Sequence, residues 1–160
     1  MSRLTINDQI VEAGSGENLL RLARRHGSHI WFLCDGRGLC RTCECRVLSG
    51  GEHLSPLSAI ERESLSVRRR AEGYRLACQA AVKEPGEVTI LSTVEHLRRQ
   101  AARLDLPELL TELTRFSVDF PNGLTGSAAE ALPRLISTPP SLPGVERYVR
   151  DGLRMIARLL

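Results

Sequence analysis

Five cysteines are the residues best suited to chemistry in this chain, and four of them are spaced in a telling way. Cys34 is followed by five residues, Cys40 by two and Cys43 by thirty-four, and Cys78 closes the set inside Arg75-Leu76-Ala77-Cys78-Gln79. A two-iron iron–sulfur centre takes four thiolates, two per iron. The close triplet would supply three from one wrapped loop, and a returning segment would bring the fourth. The spacing therefore predicts a [2Fe–2S] cluster held by Cys34, Cys40, Cys43 and Cys78, and one-electron chemistry rather than hydrolysis or nucleic-acid binding.

The segment between the first two cysteines, Asp35-Gly36-Arg37-Gly38-Leu39, suits that role. Backbone has to pass close over a cluster so that N–H groups can face its sulfurs, and glycine permits the tight, positive-φ path this requires. Arg37 and Arg41 flank the thiols and would offset the cluster's negative charge. A structural zinc site could use the same four thiols, but zinc is usually held by two close C-x2-C pairs and only one exists here. Rieske ligation is excluded, because His26, His29, His53 and His96 all lie away from the cysteines at ligand spacing. Cys45 has two readings, ligand exchange or a small buried hydrophobe, and the second is expected.

The elements around the thiols form an α+β pattern. Residues 3–6 and 9–13 read as a hairpin turning at Asn7-Asp8. Asn18 caps a helix running to about His26, with Leu19, Leu20, Leu22 and Ala23 as its buried stripe. Ile30-Trp31-Phe32-Leu33 leads into the cysteine loop, and a strand follows at 44–48. A short capped helix is expected within 55–65, then strands at about 74–82 and 87–91. From Ser92 the periodicity turns helical, with helices at 92–104 and 106–116. A Pro/Gly/Ser-rich interval covers 121–143, and a last amphipathic helix covers 144–160 with Arg147, Arg150, Arg154 and Arg158 on its polar side. The chain thus divides into residues 1–92 and a mostly helical extension, 93–160.

Composition sets limits. Hydrophobic residues make up 42% of the 160, enough for a core, and the formal charge is only +3. Residues 1–92 carry 13 basic and 11 acidic groups, and 93–160 carry 9 and 8, so no concentrated basic stripe marks a nucleic-acid binder. The basic residues are arginine except Lys83, as in a GC-rich bacterial genome. No secretory leader is visible at Met1–Asp8, and no run approaches the roughly 18–20 apolar residues of a membrane span. Clustered thiols in such a chain favour metal binding over disulfides and a cytoplasmic setting.

On Cys34-x5-Cys40-x2-Cys43 with Arg-Leu-x-Cys-Gln around Cys78, the sequence resembles the adrenodoxin-like branch of [2Fe–2S] ferredoxins; plant-type ferredoxins have four residues in the first gap. The resemblance covers roughly residues 3–91 and implies a β-grasp fold with Cys34, Cys40, Cys43 and Cys78 as ligands. It also exposes a departure. That family docks basic reductases and cytochromes on an acidic patch between the third and fourth cysteines. Here residues 49–74 set Glu52, Glu61, Glu63 and Glu72 against Arg62 and Arg68-Arg69-Arg70, neutral overall with a basic tip. An acidic partner or an anionic surface is then as good an expectation as the family's usual partners.

A narrower resemblance rests on Ser28-His29-Ile30, the Cys34-Asp35-Gly36-Arg37-Gly38 loop, Leu54-Ser55-Pro56-Leu57-Ser58 and Ile90-Leu91-Ser92. These look like the iron–sulfur proteins of the chlorosome envelope in green photosynthetic bacteria, which also append a C-terminal region to an adrenodoxin-like ferredoxin. It would imply contact with a lipid monolayer or membrane surface through 144–160. The leading expectation is an electron-transfer protein, not an enzyme, serving protein redox partners. The alternative is a redox-sensing or structural iron–sulfur subunit anchored by its C-terminal helices.

Overall fold

A computed structural model of the chain describes residues 1–32 and 34–103, together with Leu106, Pro107, Leu110, Thr111, Thr114 and Arg150. Asn7 and Asp8 both take positive φ, 50° and 69°. That pair turns the chain between β1 (Ser2–Ile6) and β2 (Gln9–Ala13) with the twist a two-residue hairpin needs. Alternation along β1 buries Ser2, Leu4 and Ile6 and leaves Arg3 outside. β1 then pairs in parallel with a strand from the far end of the domain, Glu87–Ser92.

Among the described residues five strands make one mixed sheet. β3 (Glu44–Ser49) pairs antiparallel with β4 (Tyr74–Leu76) on one side and with β5 (Glu87–Ser92) on the other, giving the order β2-β1-β5-β3-β4. Helix α1 (Leu19–Arg25) closes the core with Leu19, Leu20, Leu22 and Ala23 against Leu4, Ile6, Leu76, Val88 and Ile90. A helix held across a mixed sheet of this order is the β-grasp arrangement, and the fold is α+β as the sequence implies. Asn18 starts α1 as expected, its Oδ1 accepting the Leu20 and Arg21 amides at 3.1 and 3.3 Å.

Two expectations shift. The strand expected over 74–82 stops at Leu76, because the Leu76 carbonyl accepts both the Gln79 and Ala80 amides and turns the chain out of the ladder. Ala81 and Val82 rejoin through single bridges to Asn18 and Leu54. The helix expected within 55–65 is shorter, α2 (Ala59–Ser64), and a second, α3 (Val67–Ala71), follows it with Ser66 as its cap. Helix α4 (Thr93–Ala102), capped by Ser92, lies on the sheet, with Val94 and Gln100 buried.

The remaining expectations fall largely beyond what is described. Leu106, Pro107, Leu110, Thr111 and Thr114 are helical, as is Arg150. Leu33, the rest of the 106–116 helix, the 121–143 interval and the 144–160 helix with its membrane or chlorosome-envelope contact lie outside the described residues. No helix among the described residues is long and apolar enough to cross a membrane.

Candidate metal centre

The loop from Cys34 to Cys43 has no regular secondary structure, and its shape comes from four left-handed residues. Asp35, Gly36, Gly38 and Arg41 sit at φ 51°, 83°, 74° and 56°. Each such turn rotates an amide inward. The N–H groups of Arg37, Leu39 and Cys40 face the Cys34 sulfur, that of Thr42 faces Cys40, that of Cys78 faces Cys43 and that of Gly38 faces Cys78. The Thr42 hydroxyl lies 2.9 Å from Cys40 Sγ, and Gln79 Nε2 donates to Cys78 Sγ at 3.6 Å. Arg37 Nε binds the Cys34 carbonyl at 3.0 Å and locks the turn.

All four predicted cysteines are free thiols brought together in two pairs. Cys43 Sγ lies 3.3 Å from Cys78 Sγ, and Cys34 and Cys40 share a hydrogen bond. Each pair splits its acidity. The hydrogen bond from Cys40 brings the Cys34 thiol down to about 5, and Cys40 is pushed up in return. Likewise the bond from Cys43 lowers Cys78, while that bond and burial raise Cys43. Cys45 is apart from them. It is fully buried, burial pushes its thiol up to about 12, and its Sγ donates to the Arg75 carbonyl at 3.6 Å. It is the small core residue the sequence leads one to expect.

The fourth thiol is positioned by side chains that in sequence read as part of a surface patch. Glu61 is completely buried and grips Arg75 in a two-pronged pair, 2.8 Å to Nε and 3.0 Å to Nη2. It also accepts the Leu76 amide at 3.0 Å and the Ser58 amide at 2.8 Å, and Arg75 holds the Ser55 carbonyl at 2.9 Å. Burial works to raise the Glu61 pKa, but Arg75 and the two amides outweigh it and the carboxyl stays below its usual range. This clamp fixes β4 immediately before the turn to Cys78. Asn18 Nδ2 secures that turn from the helix side, donating to the Cys78 carbonyl at 2.9 Å.

A second buried set backs the loop. Glu44, between Cys43 and Cys45, meets Arg41 at 3.1 Å and Arg69 at 3.4 Å. The Arg69 guanidinium stacks on Tyr74 at 4.2 Å. The expected basic tip is thus smaller than the sequence implies, because Arg69 is buried and Arg68 pairs with Glu72 at 2.9 Å. The Ser58-x-x-Glu61 capping-box spacing was the one sequence signal for Glu61, and it places the residue without showing its burial.

Four soft donors, ringed by inward amides and sorted into two pairs, fit a two-iron sulfur-bridged group. Among the described residues no set of three or more His, Cys, Asp or Glu side chains is arranged to hold a single metal ion. The fold and the thiols together define a [2Fe–2S] ferredoxin-like electron carrier. The chain belongs to the 2Fe-2S iron-sulfur cluster binding domain family, whose pattern matches residues 4–83. It is 38% identical over 96 residues to chlorosome protein I of Chlorobaculum tepidum, covering 60% of this chain and 39% of that protein. It is 32% identical to chlorosome protein J of the same organism, covering 82% of this chain and 59% of that one. Over 114 residues it is 29% identical to one subunit of the Na(+)-translocating NADH-quinone reductase of a Marinomonas species, covering 71% of this chain and 27% of that protein. A solved [2Fe–2S] ferredoxin from Pseudomonas putida aligns with 27% identity and a TM-score of 0.48, over 57% of this chain and 91% of that one. The chain spans less than two thirds of the length of these curated relatives.

Proposed function

We propose that Cys34, Cys40, Cys43 and Cys78 hold the [2Fe–2S] cluster and that the chain passes single electrons between protein partners in a larger assembly. The observation that carries this is the gathering of four thiols in two pairs under inward-facing amides. When bound, the cluster supplies reversible one-electron uptake. The protein's own part is to hold the sulfurs, shield them and donate hydrogen bonds that stabilise their negative charge. No step here needs a nucleophile or a general base, so the chain acts as a carrier and not as an enzyme.

The test is EPR of the dithionite-reduced protein with iron and sulfide analysis. An S = 1/2 signal with two irons and two sulfides is expected, and Cys→Ser at each of the four positions should abolish or alter it while Cys45→Ser leaves it in place. Zinc with no signal sinks the reading.

A second reading has its own support. A match to chlorosome protein J over 82% of this chain has to run past Ser92 into the 93–160 region. That favours a subunit associated with the chlorosome envelope, with the C-terminal region as anchor. Cell fractionation of the full chain against one ending at Arg103, which keeps α4, separates the two. An anchored subunit loses its envelope location on truncation and keeps its EPR signal; a free carrier shows the same distribution in both forms.

A further inference from the structure

Helix α1 presents an arginine face that its own fold uses only in part. Arg21, Arg24 and Arg25 stand three and four residues apart, so all three share the side opposite the buried Leu19, Leu20, Leu22 and Ala23. Like charges at that spacing disfavour a helix, and no acidic residue within α1 relieves them. Arg25 is held by Glu17 at 2.6 Å. Arg24 stacks on Phe32 at 4.5 Å and lies 3.5 Å from Asp35, a rim residue of the cysteine loop. Arg21 is exposed, and its guanidinium meets no acidic side chain among the described residues.

Arg21 and Arg24 border a cleft of about 200 Å3 that Asn18, Leu20, Asp35, Gly36 and Cys78 complete. Ligand pockets run from about 300 to 1,000 Å3. A space this small suits inserted side chains better than a free cofactor. The arginines nearest the sulfurs are already committed, Arg37 to the Cys34 carbonyl and Arg41 to Glu44. Arg21 faces outward instead, with Arg24 held between Phe32 and Asp35 beside it, at a cleft that Cys78 lines.

We infer that this cleft is where an acidic redox protein docks, its carboxylates pairing with Arg21 and Arg24 and its electron crossing at the Cys78 edge. The inference rests on Cys78 being a cluster ligand, as proposed above. A lipid surface fits less well, because an interfacial helix needs an apolar face to insert and that of α1 is spent in the core. Charges around a contact of this kind steer encounter and set its salt dependence.

The probe is flavodoxin, an acidic electron-transfer protein, with phosphatidylglycerol vesicles as the competing surface and the full chain throughout. Binding is read by fluorescence anisotropy, which needs no cluster, and reduction by stopped flow, with EPR recorded on each variant. We expect saturable flavodoxin binding that weakens with salt and falls by about tenfold or more in Arg21→Glu/Arg24→Glu. Arg21→Lys/Arg24→Lys should keep most of it, and Arg3→Glu, on the exposed side of β1, should match the parent. Reduction should slow in parallel, with the EPR signal unchanged. Equal binding by the parent and the charge-reversed pair, or an equal loss in Arg3→Glu, overturns the docking site. So does binding to the vesicles with none to flavodoxin. A missing EPR signal with binding intact overturns the cluster assignment and leaves the docking surface standing.

Discussion

The cysteine loop at 34–43 and the excursion at 50–73 hold the candidate centre by opposite means. The loop works through backbone: four left-handed residues aim amides at sulfur, and its side chains mostly tie the turn to itself. The excursion works through buried charge. It sends Glu61 to the bottom of the fold to grip Arg75, and Arg69 to meet Glu44 against Tyr74. The difference teaches a division of labour, in which the loop shapes the sulfur environment and the excursion fixes where the fourth thiol arrives.

Breaking the excursion's side should have the largest effect. Glu61→Ala leaves the Arg75 guanidinium buried and unpaired, a change that costs about 3–5 kcal/mol. It should lower the urea midpoint and speed loss of the cluster's visible absorbance. Glu61→Gln keeps the shape and should cost less. The pair also sets an acid limb. Glu61 titrates lower in the folded chain than unfolded, so its contribution is present above the ordinary carboxylate range and is lost as pH falls through the folded value. Unfolding curves across that range should show a shallower acid limb in Glu61→Gln than in the parent, and identical limbs would remove the clamp from the account.

The two regions meet at Gly38, which allows a sharper test. A methyl there would sit 2.8 Å from Ile60 Cγ2 and 3.1 Å from Gln79 Nε2, on a backbone at φ 74°. Gly38→Ala should therefore carry about 1–2 kcal/mol of left-handed strain plus the displacement of Ile60. In an Ile60→Ala background the backbone part and the lighter contact with Gln79 should remain, so a double-mutant cycle by chemical denaturation isolates the loop–excursion contact. Strict additivity would mean the regions do not press on each other there.

How much of this is legible in the sequence follows the same divide. The loop declares itself, since thiol spacing and glycine placement are local and need no tertiary partner. The hairpin at Asn7-Asp8 and the Asn18 cap are readable for that reason too. Glu61 and Arg69 are not. In sequence they sit among Arg62, Glu63, Arg68 and Arg70, and nothing local tells a carboxylate bound for the interior from one bound for water. Their partners lie fourteen residues on, at Arg75, and back at Glu44. The early end of β4 is hidden likewise, because the need to deliver Cys78 overrides the strand tendency of 74–82.

Cys45 offers the smallest effect and the cleanest contrast with its neighbours. It stands two residues from Cys43, yet its thiol is turned into the core, where burial pushes its pKa up and it donates to the Arg75 carbonyl. Cys45→Ala removes one sulfur from a fully buried site and a weak donor with it. A loss of about 1 kcal/mol is expected, in line with a small cavity in a packed core. The EPR signal should keep its shape, since nothing in the loop's amide pattern reaches Cys45. A shifted signal would draw Cys45 into the centre and blur the line between the residues that shape the sulfurs and those that support them.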